Sequence, residues 1–144
     1  MKGKIFTQAD ASRTLPLVRR IVLDVKACSK LIERHERHLS HPDVIGGVAH
    51  EPTASEVSVI HEKIRSLRER IKLCHTELEQ LGWFLVDGRA GLAHCYGEIG
   101  GQIVYLSWRL GENGVNFWHA TDKSHVERKK IDGGERVTEG ASGR

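Results

Sequence analysis

The chain has 144 residues, of which 39% are hydrophobic and 28% charged, with a formal net charge of +3. That length points to one domain with a modest core, and so small a charge gives no reason to expect a polyanionic partner. No apolar run approaches the roughly 18 residues of a membrane span, and Met1-Lys2-Gly3-Lys4-Ile5-Phe6 lacks the apolar stretch of a secretory signal.

Thr7-Gln8-Ala9-Asp10 has the form of a helix N-cap with an acidic residue three positions on, and Phe6 stands where it can staple against Ala11. Pro16 lacks the N–H that a helix interior needs. The expectation is a short first turn from Gln8 to about Arg13, then a long helix restarting at Pro16. Along it Val18, Ile21, Val25, Cys28, Ile32, His35 and Leu39 recur in alternating steps of three and four, the spacing of a coiled-coil seam. From His41 to Pro52 the pattern stops, and Pro42, Gly46, Gly47 and Pro52 mark a loop.

A second capping box, Thr53-Ala54-Ser55-Glu56, opens the next helix. Its seam runs Val57, Ile60, Ile64, Leu67, Ile71, Cys74, Leu78 and Leu81, and Gly82 sits where a left-handed C-terminal cap wants glycine. Two such seams joined by the loop from His41 to Pro52 should pack antiparallel, layering Leu39 on Val57, Ile32 on Ile64, Val25 on Ile71 and Val18 on Leu78. Cys28 and Cys74 then lie about 10 Å apart along the axis, too far to bridge. Both read as small core residues, and with Cys95 the odd count suggests no disulfide framework, which points to a reducing cytoplasm. The far end of the hairpin outruns what a small sheet can cover, so it must project or meet a partner.

After Gly82 the period changes to alternation. Trp83 to Val86, Leu92 to Glu98, Gln102 to Leu110 and Val115 to Ala120 read as strands, separated by Asp87-Gly88, Gly100-Gly101 and Gly111-Glu112-Asn113-Gly114. The fold class is therefore α+β: a long antiparallel two-helix, coiled-coil-like hairpin over 7–81, then a three- to four-stranded antiparallel meander over 83–120, in one domain spanning 5–131. Residues 132–144 carry little apolar content and read as a disordered tail.

Alternation sorts the strand residues into two faces. Ala93, Cys95, Val104, Leu106, Trp108, Leu110, Val115, Phe117 and His119 form the apolar face that covers the hairpin base. His94, Tyr96, Ile103, Tyr105, Ser107, Arg109 and Trp118 form the other, open face, a mixture of aromatic, hydroxyl, imidazole and guanidinium groups.

The chain resembles the bacterial family catalogued as domain of unknown function 2203. The resemblance rests on Phe6-Thr7-x-x-Asp10-Ala11-x-x-x-Leu15-Pro16, Leu81-Gly82, Gly91-Leu92, Val104-Tyr105-Leu106-Ser107-Trp108-Arg109, Gly111-Glu112, Trp118-His119 and Arg128. It covers about residues 5 to 131 and implies the fold and a bacterial origin, with no established reaction. His94 stands where the family pattern is acidic and Ser107 where it has cysteine. The pattern's glycines near Ser124 and Glu127 and its proline at Lys130 are missing.

The candidate ligand or partner face is His94, Tyr96, Tyr105, Ser107, Arg109 and Trp118, residue types that suit an interface better than catalysis, since no nucleophile elbow surrounds Ser107. Glu112 and His119 are the candidate acid/base or metal pair, set against the plainer reading of a turn glutamate and a packed imidazole. His35, His38 and His41, with His61 near them, have a spacing that can ligate zinc, but solvated helix ends show it too and no CxxC or HExxH motif supports a site. The helix arginines interleave with glutamates, as in Glu33 and Arg37, so a solvated charged face is favoured over nucleic-acid binding. The function expected is a non-enzymatic module that self-associates, as a homo-dimer, or binds a protein or small ligand. The alternative is a metal-binding protein or small enzyme using Glu112 and His119. No cofactor is specified.

Overall fold

In the computed structural model, residues 4–124 and 127–131 are described. The expected disordered tail at 132–144 lies outside them. The chain opens with strand β1, Ile5–Phe6, and helix α1, Gln8–Ser40. Thr7 caps α1, its Oγ1 accepting the Asp10 N–H at 2.9 Å. Only half of a capping box forms, because the short Asp10 carboxylate turns outward to accept from Arg13.

The break expected at Pro16 is absent, and α1 runs unbroken through it. The proline removes one hydrogen bond, but the two turns before it are held from outside the helix. Ala11 and Leu15 are buried, Gln8 Nε2 donates to the Val115 carbonyl at 2.8 Å, and Trp83 Nε1 donates to Thr14 Oγ1 at 2.8 Å. Tertiary contact outweighs the local defect.

The segment expected as plain loop holds a small ribbon of β2, Asp43–Ile45, and β3, Val48–His50. Gly46 and Gly47, with φ of +59° and +80°, supply the two left-handed residues that a two-residue hairpin turn demands. Helix α2, Ala54–Gln80, follows under a complete capping box. Glu56 N–H donates to Thr53 Oγ1, and Thr53 N–H donates to Glu56 Oε1. Gly82 ends the helix at φ +91°.

The sheet comprises β4 (Trp83–Asp87), β5 (Leu92–Ile99), β6 (Gln102–Arg109), β7 (Phe117–Ala120) and β8 (Lys129–Lys130), together with β1. The expected antiparallel meander of four strands is its centre, and two further strands extend it. β1 lies parallel to the second half of β5, pairing with Tyr96 and Gly97, while β4 occupies the first half of the same edge. β8 returns antiparallel to β7.

The core sits between the base of the helical hairpin and one sheet face, where Val18, Val22, Val25 and Leu78 meet Trp83, Leu106 and Trp108. Farther out the helices have only each other. Ile32, Ile60 and Ile64 form a second cluster with Leu39, Leu67 and Ile71 partly covered, in keeping with the heptad layering. At 1.5 Å per residue α1 is about 50 Å long, whereas an eight-residue strand spans about 27 Å. The outer half of the hairpin therefore projects beyond the sheet. All three cysteines are free and buried. The helix thiols do not face a purely apolar core: Cys28 and Cys74 both point to Asp24, at 4.0 and 3.7 Å.

Candidate functional site

On the sheet face turned away from the helices, pairing across three strands builds two rows. His94 lies opposite Ser107, which lies opposite Phe117; Tyr96 lies opposite Tyr105, which lies opposite His119. Phe84 of β4 joins from the other side, opposite His94. Pairing thus puts His94, Tyr96, Tyr105 and Ser107 on one face, with His94 and Ser107 direct cross-strand neighbours.

Three residues are on the opposite side from that expected. His119 and Phe117 belong to this face, and Trp118 packs against the core. The cause is local. Val115 is fully buried in the core, yet β7 begins only at Phe117, and the irregular residue between them, Asn116, turns its carbonyl to accept from Ile131 N–H. The alternation therefore breaks between Val115 and Phe117, which reverses the parity of everything after it.

The face is also more enclosed than expected: His94 and His119 are only 4% and 3% exposed, and Ser107 is wholly buried. The rings themselves provide the cover. Tyr105 lies 5.2 Å from the His94 ring centroid and 5.3 Å from that of His119, and Phe84 packs edge-on to His94 and Tyr105. Burial, and then the hydrogen bond with Tyr96, raise the Tyr105 phenol above its ordinary pKa. Arg128, from the stretch entering β8, lays its guanidinium 4.1 Å from the Phe117 ring centroid. Sequence reading gave Phe84 and Arg128 no place here; strand parity could have signalled the first, while the second depends on the chain's return along β7.

The two imidazoles meet. His119 Nδ1 lies 2.9 Å from the Ala120 carbonyl oxygen, and the two Nε2 atoms are 3.5 Å apart. A carbonyl only accepts, so Nδ1 of His119 carries the proton, and in the neutral ring Nε2 presents a lone pair to His94.

Glu112 is engaged elsewhere. Its carboxylate accepts from Arg128 Nη2 at 2.7 and 2.8 Å and from the Arg109 backbone N–H at 2.9 Å, while its carbonyl accepts from Trp108 Nε1. No hydrogen bond joins Glu112 to His119 among the described residues. Arg109 itself lies exposed at the end of β6. Ser107 Oγ has no hydrogen-bond partner, so it forms no nucleophile–base pair among the described residues, and the buried Arg128 Nε is likewise unpartnered. Among the described residues no three His, Cys, Asp or Glu side chains form a metal-holding group, whether at Glu112 and His119 or at the histidines of the hairpin tip.

A family model described as an uncharacterized conserved protein, DUF2203, matches residues 4–131. No curated protein and no solved structure matches the chain. No helix among the described residues is long and apolar enough to cross a membrane.

Proposed function

The chain belongs to the DUF2203 family, and from its geometry we propose that it is a non-enzymatic, self-associating module of the bacterial cytoplasm, two copies joining through the outer half of the helical hairpin. One observation carries this reading: beyond the sheet, the outer half of the hairpin leaves Leu31, Val44, Ile45, Val48 and Val59 exposed. Leu31, His35, Val59 and Leu67 line an open groove between the helices, about 430 Å³ in volume, and Val44, Ile45 and Val48 stand out from the ribbon at its tip. Glu62 and Lys63 also border the groove, so its rim carries both charge signs, as an isologous contact between two copies can use.

The arginines support this reading over a nucleic-acid surface. Arg65, Arg68, Arg70 and Arg89 pair with Glu62, Glu36, Asp24 and Glu33 respectively, leaving no unopposed basic stripe of those four residues. Free, buried thiols suit a reducing compartment.

Sedimentation velocity across a wide concentration range tests the proposal. A dimer is expected, with Leu31→Glu combined with Val59→Glu shifting it to monomer while the circular dichroism spectrum is unchanged. A monomer at the highest concentration, or a dimer indifferent to both substitutions, overturns it.

A further inference from the structure

We propose that His94 and His119 bind one transition-metal ion between their Nε2 atoms, an ion of the class imidazole prefers, such as Zn²⁺, Co²⁺, Ni²⁺ or Cu²⁺. This is a site on the sheet, separate from the self-association surface of the hairpin. Three features of the pair carry it.

The first is the spacing. Two nitrogens each bound to a tetrahedral ion at the usual metal–imidazole distance lie about 3.3–3.4 Å apart. The two Nε2 atoms are 3.5 Å apart. A direct N–H···N hydrogen bond sits more comfortably at roughly 2.7–3.2 Å, so the pair is wide for that bond and close to the bite of a shared ion.

The second is orientation. His119 Nδ1 donates to the Ala120 carbonyl at 2.9 Å, which fixes the tautomer and aims the Nε2 lone pair at the gap. A backbone carbonyl on the far nitrogen is the usual outer support of a ligating histidine. The third is the setting. Both rings are buried, flanked by Tyr105, and His94 lies directly across from Ser107, whose wholly buried Oγ has no hydrogen-bond partner. A hydroxyl so placed is supplied with a partner by a water bound to the ion.

Two imidazoles make an open site, with the remaining positions left to water or a small exogenous ligand. It binds its ion more weakly than a four-ligand structural zinc site, and it carries no charged protein ligand among the described residues.

Titration of the metal-free chain with Co²⁺, followed by its visible absorption, and with Zn²⁺, followed by calorimetry, is the test. One equivalent per chain is expected, lost in His94→Gln and in His119→Gln and retained in His38→Gln. Imidazole nitrogen NMR on the unaltered chain keeps the test decisive should either variant misfold. Zinc should shift Nε2 of His94 and His119 while leaving the hairpin histidines in place. Absence of stoichiometric binding, or shifts confined to His35, His38, His41 or His61, overturns the proposal.

Discussion

Arg128 holds Glu112 by both carboxylate oxygens, at 2.7 and 2.8 Å, with the two side chains only 13% and 23% exposed. The contact ties the stretch before β8 to the turn after β6, and the same glutamate anchors Arg109 N–H and, through its carbonyl, the Trp108 indole. Removing one partner strands the other charge in a largely dry site. Arg128→Leu and Glu112→Gln should each destabilise the chain by about 1–3 kcal/mol. The double variant should lose clearly less than the sum, because the two act as one unit. Urea denaturation of the four proteins in the cycle measures this, and simple additivity would contradict it.

Gly97 is required by packing, not by backbone conformation. A Cβ there would stand 2.7–2.8 Å from three carbons of the Leu106 side chain, which fills the core beneath β5 and β6. Leu106 is fully buried in the close-packed core, so its side chain can yield only by displacing its neighbours. Gly97→Ala should therefore cost about 1–3 kcal/mol, as overpacking does, despite alanine's better backbone entropy. A thermal denaturation midpoint at or above that of the unaltered chain would show that the core can yield.

The thiols of the hairpin titrate high. Burial, and then the Asp24 carboxylate, raise Cys28, and the same two causes push Cys74 from 9.0 up to about 11; burial alone raises Cys95. A thiol whose folded pKa lies above its unfolded value stabilises the fold fully below the unfolded pKa and loses that contribution as pH rises through the folded one. For Cys74 the loss falls between pH 9 and about 11. Stability measured by urea should decline less steeply over that range in Cys74→Ala than in the unaltered chain. In the native protein at pH 7.5 alkylation of Cys74 should be slow, and Asp24→Asn should speed it. Equal slopes and unchanged alkylation would remove Asp24 from the account.

The heptad seams were legible because burial in a helical pair repeats with a fixed step, and Val18, Val25, Ile32, Ile60, Ile64 and Leu78 are buried where that step places them. The Gly100-Gly101 turn likewise set the parity of His94, Tyr96, Tyr105 and Ser107, since a two-residue turn admits one register. What was illegible depends on single residues or distant contacts. Pro16 reads as a break until the sheet that holds Gln8 and Thr14 is in view. The alternation breaks between Val115 and Phe117 without a sequence mark, which moves His119 to the site face. Strands of two residues, Ile5–Phe6 and Lys129–Lys130, are too short to show alternation at all. The meeting of His94 with His119 therefore lay beyond alternation alone.

Ser107 offers the sharpest stability test on the sheet face. Its Oγ is buried without a hydrogen-bond partner, next across the ladder from His94. In the metal-free chain such a hydroxyl is a desolvated group with no return, and removing it relieves a penalty of about 1–3 kcal/mol while deleting very little volume. Ser107→Ala should thus raise the stability of the metal-free protein, by about 1 kcal/mol once the small cavity is set against the gain. Denaturation in the presence of a chelator reads this directly. A loss of stability under chelation would mean that the hydroxyl already has a partner in solution without the ion, and would overturn the prediction.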